Sequence, residues 1–245
     1  MAVAALYDIH GNLPALEAVL GEIRREHVER IVVGGDVFPG PMATEALDLL
    51  LALDVPVFFL LGNGDREALA TARGAEPVAV LERYRPSIRW NAERLEAKHR
   101  SAIASWPATV STEVLGLGRV LFCHATPDSD TAIVTRRTSD EKMRATFDGR
   151  QASLVVCGHT HMPFDITAGS TRVVNPGSIG MPFGEAGAHW LLLGPDVRFR
   201  RTVYDLEAAA ARVRETAYPD AHEFAATNIL SPPTEEAMLD LFARA

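Results

Sequence analysis

Side chains able to hold metals or move protons recur along this chain in one setting: each follows a short apolar run that breaks off abruptly. Val3 to Tyr7 lead into Asp8-Ile9-His10, and Ile31-Val32-Val33-Gly34-Gly35 leads into Asp36. Val57 to Leu61 and Gly62 lead into Asn63, Val120 to Cys123 into His124, and Leu154 to Gly158 into His159-Thr160-His161. The set contains carboxylates, an amide and imidazoles, and no thiolate. Such nitrogen and oxygen donors of intermediate hardness suit Mn, Fe, Zn, Ni or Co better than Ca or Mg. They exceed the needs of one ion and suit two ions that share a carboxylate. Cations about 3.5–4 Å apart generate hydroxide at neutral pH and stabilise both oxygens of an in-line displacement at phosphorus. Asp8 and His10 lie two apart, so an extended chain would point both to one side.

The elements that position these residues are legible from periodicity. After the first run, Leu13, Leu16, Val19, Leu20 and Ile23 recur at helical spacing, with Pro14 suited to the first helical turn. Pro41 opens a second helix with Ala46, Leu47, Leu50 and Leu53 on one face. Apolar strand, glycine with a polar residue, then helix is the pattern of βαβ units and a parallel sheet, whose carboxyl ends are where ligands bind. The stretch from Glu67 to Ser105 reads as an arginine-rich helical insertion with its last helix ending at Pro107. Arg83, Arg85, Arg89 and Arg94 there form either a solvated face or a positive wall for a phosphate-bearing substrate. From Thr109 hairpins predominate: Thr109–Leu115 with Arg119–Cys123, Phe164–Thr167 with Arg172–Val174, and Ala188–Leu193 with Val197–Tyr204. Thr138-x-x-Glu141 is a capping box that predicts a helix to about Phe147. Helices are also expected over Leu206–Glu215 and Glu235–Phe242. The expectation is one domain over 1–245, with the insertion at about 67–106 and a helical tail at about 219–245.

Composition bounds the function. At 245 residues, 47% hydrophobic and 23% charged, the chain can bury a substantial core. No run approaches the roughly 20 apolar residues of a membrane span, and the start lacks a signal-peptide pattern. Two cysteines make no disulfide framework and fit a reducing cytosol, so a cytoplasmic protein is expected. A net charge of −8 argues against broad binding to nucleic-acid backbone, but not against a phosphate substrate, because bound metals would invert the local field.

The ordered series D-x-H, G-D, G-N-x-D, H and G-H-x-H resembles the calcineurin-like metallophosphoesterases over nearly the whole chain. With Gly158-His159-Thr160-His161, the segment Asn175-Pro176-Gly177-Ser178-Ile179-Gly180 is similar to the small bacterial and archaeal phosphodiesterase branch. The resemblance implies an α/β fold, a four-layer α/β/β/α sandwich of two mixed sheets. It implies two divalent transition-metal ions, Mn foremost and Fe, Ni, Zn or Co as alternatives. One would take Asp8, His10 and His161, the other Asn63, His124 and His159, with Asp36 bridging and a bridging hydroxide attacking phosphorus. Asp36 and Asp65 are the implied catalytic residues. The broader family often has His where this chain has Gly64. Gly64 is expected to leave open space that favours diesters, and Asp65 to pair with Arg66 or cap the following helix. Asn12 and Arg66 are candidate substrate contacts, Asn12 being also a fair helix cap. His222 could reach the site only if the tail folds back. The expected substrate is a small phosphate ester, a nucleotide among the candidates. A monoesterase, a dinucleoside-polyphosphate hydrolase and a non-catalytic scaffold for partner proteins are the alternatives.

Overall fold

The computed structural model describes residues 2–78 and 80–244. In chain order it contains β1 (Val3–Leu6), α1 (Leu13–Ile23), β2 (Arg30–Val33), α2 (Ala43–Leu51), β3 (Val57–Phe59) and α3 (Asn63–Ala72). A 3-10 turn (Glu82–Tyr84), α4 (Arg85–Arg94) and α5 (Ala97–Ala104) follow, then β4 (Thr109–Val114), β5 (Gly118–Cys123), α6 (Asp140–Phe147) and β6 (Leu154–Val156). The chain continues through β7 (Phe164–Ala168), β8 (Thr171–Asn175), β9 (Ala188–Leu193), β10 (Val197–Thr202) and α7 (Leu206–Arg214). It ends with α8 (Ala221–Phe224), a π-helical stretch (Ala225–Leu230) and α9 (Glu235–Phe242). No helix among the described residues is long and apolar enough to cross a membrane.

Two mixed sheets result, in the orders β10-β9-β1-β2-β3 and β4-β5-β6-β8-β7. In the first, β1 pairs parallel with β2 and β2 with β3, while β9 joins β1 antiparallel. In the second, β5, β6 and β8 are parallel neighbours, flanked by antiparallel β4 and β7. Strand alternation sorts the side chains into layers. Val3, Ala5, Tyr7 and Val32 face Val120, Phe122, Leu154 and Val156 between the sheets. Ala4, Leu6, Ile31 and Val33 turn to the other side, against α1, α2 and α7. Cys123, Val155, Cys157 and Val173 turn outward against Met143 and Phe147 of α6. The order helices, sheet, sheet, helix is the four-layer α/β/β/α sandwich.

Local chemistry sets several boundaries differently from the sequence expectation. The α6 cap is Ser139, whose side chain accepts from the Lys142 N–H, and not Thr138. Thr138 Oγ1 instead accepts from the Thr135 N–H at 2.9 Å. The helix expected to end at Pro107 is α5, which stops at Ala104, and α4 precedes it. Leu95 between them adopts an extended ψ of 106°, and Glu96 caps the second together with His99. Three of the four arginines read as a solvated face or a positive wall lie on local partners. Arg89 pairs with Glu76 at 2.6 Å, Arg94 lies over the Trp90 ring and Arg83 over Tyr84.

Candidate metal centre

Asp8, His10, Asp36, Asn63, His124, His159 and His161 all follow the carboxyl ends of parallel strands, the first four from one sheet and the last three from the other. Their convergence does not come from strand pleating. Asp8, His10, Asp36, His159 and His161 have φ of 53°, 45°, 53°, 66° and 55°. Among the described residues only His27 and Gln151 are other non-glycine residues with positive φ. This left-handed backbone is costly and concentrates where function over-determines it. Asp8 and His10 therefore reach their places from a tight turn and not from one face of an extended chain, which corrects the pleat argument. The turn is held by backbone bonds to the Asp36 loop, His10 N–H to Asp36 O at 3.0 Å and Asp8 N–H to Gly35 O at 3.2 Å.

Two groups of potential ligand atoms form, Asp8 with His10 and His161, and Asp36 with His124 and His159. In the first, His10 Nδ1 donates to the Pro39 carbonyl at 3.1 Å and His161 Nδ1 to the Met181 carbonyl at 2.8 Å. A ring whose Nδ1 carries the proton presents a bare lone pair at Nε2. The two Nε2 atoms nevertheless face each other at 3.3 Å. Asp8 Oδ1, buried and without a hydrogen-bond donor, lies 3.5 Å from His161 Nε2. Three electron-rich atoms turned on one point fit a shared cation. In the second group, His124 Nδ1 donates to Gly34 O at 2.9 Å, which directs Nε2 toward Asp36. The Asn63 amide lies 3.0 Å from His124 Nε2 and 3.0 Å from His159 Nδ1. With its nitrogen turned inward it donates to both and to the Asp130 carbonyl. A cation held by the imidazoles would reverse that preference, with Asn63 presenting its oxygen. Asp36 Oδ2 sits between the groups, 3.8 Å from His10 Nε2 and 3.5 Å from His124 Nε2.

Charge follows the same geometry. Burial alone would raise the carboxyls, but His161 holds Asp8 and His124 holds Asp36 below the usual carboxylate range. Burial works against charge on His124 too, yet the Asp36 and Asp8 carboxylates lift it to about 10. The carboxylates thus favour positive charge at the place between His124 and Asp36 that a cation would take. Burial and the neighbouring His124 push His159 down to about 4, so that ring is neutral and ready to ligate. Both thiols are buried on the outer face of the second sheet, and burial raises each of them.

The supporting residues correct several expectations. Asp65 is fully buried and accepts from the N–H groups of Asp36 (2.8 Å), Phe38 (3.0 Å) and Gly62 (3.2 Å). Its oxygens are turned to backbone, so it caps α3 and shapes the Asp36 loop; it neither pairs with Arg66 nor stands as a reacting group. Burial, and next the Asp36 charge, raise it to about 8. Arg66 binds Asp130 through Nε at 2.6 Å and Glu67 through Nη1 at 2.6 Å. Its charge is balanced by two carboxylates, which makes it a poor phosphate anchor. Asn12 is fully buried; its oxygen accepts from Ala15 N–H and its nitrogen donates to Gly180 O and Tyr204 Oη. It is a cap and a tie and has no surface left for substrate. Gly64 is not open space: an added Cβ would lie 2.2 Å from the Phe38 carbonyl oxygen. The tail does fold back, but it brings Phe242 toward the centre (6.3 Å from Phe183, which stacks on His161), while His222 is exposed on α8.

Sequence reasoning assigned no role to the loop 175–181, although it quoted the motif. Ser178 Oγ donates to Asp8 O at 2.7 Å, Gly180 N–H donates to the same oxygen at 3.0 Å, and Met181 supplies the carbonyl for His161. Asn175 Nδ2 donates to Gly158 O at 2.8 Å. The loop therefore clamps both His- and Asp-bearing turns.

Comparison with known proteins places this arrangement in context. The family model of the calcineurin-like phosphoesterase superfamily domain matches residues 1–196. An uncharacterised protein from Methanocaldococcus jannaschii is 23% identical over 239 residues, covering 89% of this chain and 94% of that protein. The crystal structure of a hypothetical protein from Pyrococcus horikoshii superposes with a TM-score of 0.79 at 21% identity, over 95% of this chain and 99% of that one. A metallophosphoesterase from Sphaerobacter thermophilus gives a TM-score of 0.73 at 24% identity, over 94% and 99%. At these identities the two structures establish a common fold.

Proposed function

Because the chain belongs to the calcineurin-like phosphoesterase superfamily, we propose that it is a binuclear metal-dependent phosphodiesterase acting on a small phosphate ester. The observation that carries the reading is the position of Asp36 Oδ2, within 3.8 Å of one group's His10 and 3.5 Å of the other group's His124. Asp8, His10 and His161 would hold one ion and Asn63, His124 and His159 the other, with Asp36 common to both. Manganese is the first choice for such nitrogen and oxygen donors. Ions bound there would supply Lewis acidity and an activated water at neutral pH. The chain's own part is to fix the ligands. The Pro39, Met181 and Gly34 carbonyls set the imidazole tautomers, and Gly64 N–H donates to Asp36 Oδ1 at 2.7 Å. No side chain at position 64 supplies a proton to the leaving group, so esters with acidic leaving groups react fastest. The buried, unpaired thiols suit a reducing, cytoplasmic setting.

The test is hydrolysis of bis(p-nitrophenyl) phosphate and p-nitrophenyl phosphate by chelator-treated protein with Mn²⁺, Ni²⁺, Zn²⁺ or Mg²⁺ restored. The expected outcome is metal-dependent turnover with the diester preferred. Asp36→Asn should lower kcat/KM by about 10²-fold or more, and more than Asn63→Ala does. Near-normal turnover of Asp36→Asn at saturating metal would remove the shared-ligand assignment. A monoester preference would replace the diesterase by a phosphomonoesterase.

A further inference from the structure

Four rings stand in a row at one edge of the centre. His10 and His161 have centroids 5.0 Å apart. Phe183 stacks on His161 at 5.1 Å and 26°. Phe242, from the last turn of α9, meets Phe183 at 6.3 Å and 54°. The His161 ring is thus fixed at Nδ1 by the Met181 carbonyl and on one face by Phe183, whose main chain also donates to His161 O at 3.3 Å.

The helix that carries Phe242 is fastened at several points. Gly184, next to Phe183, donates its N–H to the Pro233 carbonyl at 2.8 Å. Arg136 pairs with Glu235 and Glu236, and Arg137 with Glu236 and, at 2.6 Å, with Asp240. Exposed ion pairs are individually weak, and sharing carboxylates in a network reduces the ordering cost of each. Leu239 buries the inner face of α9 at 2% exposure. These arginines lie in the loop that leaves His124, so α9 is tied to segments from both sides of the centre. In the other metal group the two imidazoles meet each other, and no phenyl ring stacks on either among the described residues: His159 meets His124 edge-on at 5.2 Å, and the Asn63 amide lies 3.0 Å from each. The helix also lies beyond residues 1–196, which the family model covers.

We propose that α9 positions the His161 ligand through the Phe242–Phe183 contact, so that the C-terminal segment tunes the affinity of the ion held by Asp8, His10 and His161 more than that of the other. Packing around a ligating imidazole restricts its orientation, and such outer partners typically govern metal affinity by about 10–100-fold. Phe242 is a positioning residue: it acts on His161 and not on substrate. The inference rests on the two-ion reading above.

The experiment is Mn²⁺ titration of the chelator-treated 245-residue chain, followed by calorimetry and by the electron paramagnetic resonance of bound Mn²⁺. Wild type should take up two ions. Phe242→Ala should weaken one of them by about tenfold or more and the other clearly less, and Phe242→Tyr, which keeps the ring, should restore the wild-type pattern. Phe183→Leu should act like Phe242→Ala. Equal weakening of both ions would mean a general loosening of the fold and overturn the proposal, as would two unchanged affinities. A wild type that binds fewer than two ions overturns the two-ion reading itself and this inference with it.

Discussion

Gly64 has its Cβ space filled by the Phe38 carbonyl oxygen and lies against Asp36, while its N–H donates to Asp36 Oδ1. The missing side chain is therefore a packing requirement of the Asp36 loop. Gly64→Ala should destabilise by about 1–3 kcal/mol, the usual cost of forcing an extra group into a packed interior, and should weaken metal retention by displacing Asp36. Denaturant midpoints for the two proteins test this, and an unchanged midpoint would mean that the Phe38 segment yields freely. A histidine at this position would meet the same contact with the Phe38 carbonyl oxygen.

At the scale of elements, α1 begins where the first ligand turn ends. Asn12 links the two, accepting from Ala15 N–H and donating to Gly180 O, which belongs to the loop that grips Asp8. Removing an N-cap costs about 1 kcal/mol, and a buried carbonyl left without its donor adds about 1–3 kcal/mol. Asn12→Ala should therefore cost more than Ser139→Ala, which removes the α6 cap at an exposed site. Urea denaturation of both variants decides it. Equal losses would show that the tie to Gly180 contributes nothing.

At the scale of the whole molecule, each ligand group spans the two sheets. Asp8 and His10 follow β1 and His161 follows β6; Asp36 follows β2, while His124 and His159 follow β5 and β6. Ions held there cross-link the layers of the native state only. At a free concentration of 100 times the dissociation constant, one site stabilises by about 2.7 kcal/mol. For a chain of this size that corresponds to a rise of about 5–11 °C in Tm. Adding Mn²⁺ to chelator-treated protein should produce such a rise, and excess chelator should reverse it. A melting point indifferent to metal and chelator would contradict ligation across the sheets.

The alternation of apolar strands with helices, and the polar residues stopping each strand, were enough to specify βαβ units and the ligand-type residues, while the two-sheet layering was implied by the family resemblance alone. The βαβ units and the ligand types follow from local rules of periodicity and residue chemistry. Asn12 could be read as a cap because capping is local. What the sequence could not reveal depends on contacts between distant segments. The left-handed turns at Asp8, His10, Asp36, His159 and His161 are disfavoured conformations that local propensity does not select; tertiary hydrogen bonds impose them. Asp65 could not be told from a reacting acid until its oxygens were seen to accept three backbone N–H groups. In the sequence Arg66 reads as a substrate contact or a partner of Asp65, and in the fold it pairs with Asp130 and Glu67. The row His161, Phe183, Phe242 joins residues up to 81 positions apart in the chain. No period or motif encodes such a meeting, because only the closing of the tail over the rim of the sandwich brings those rings together.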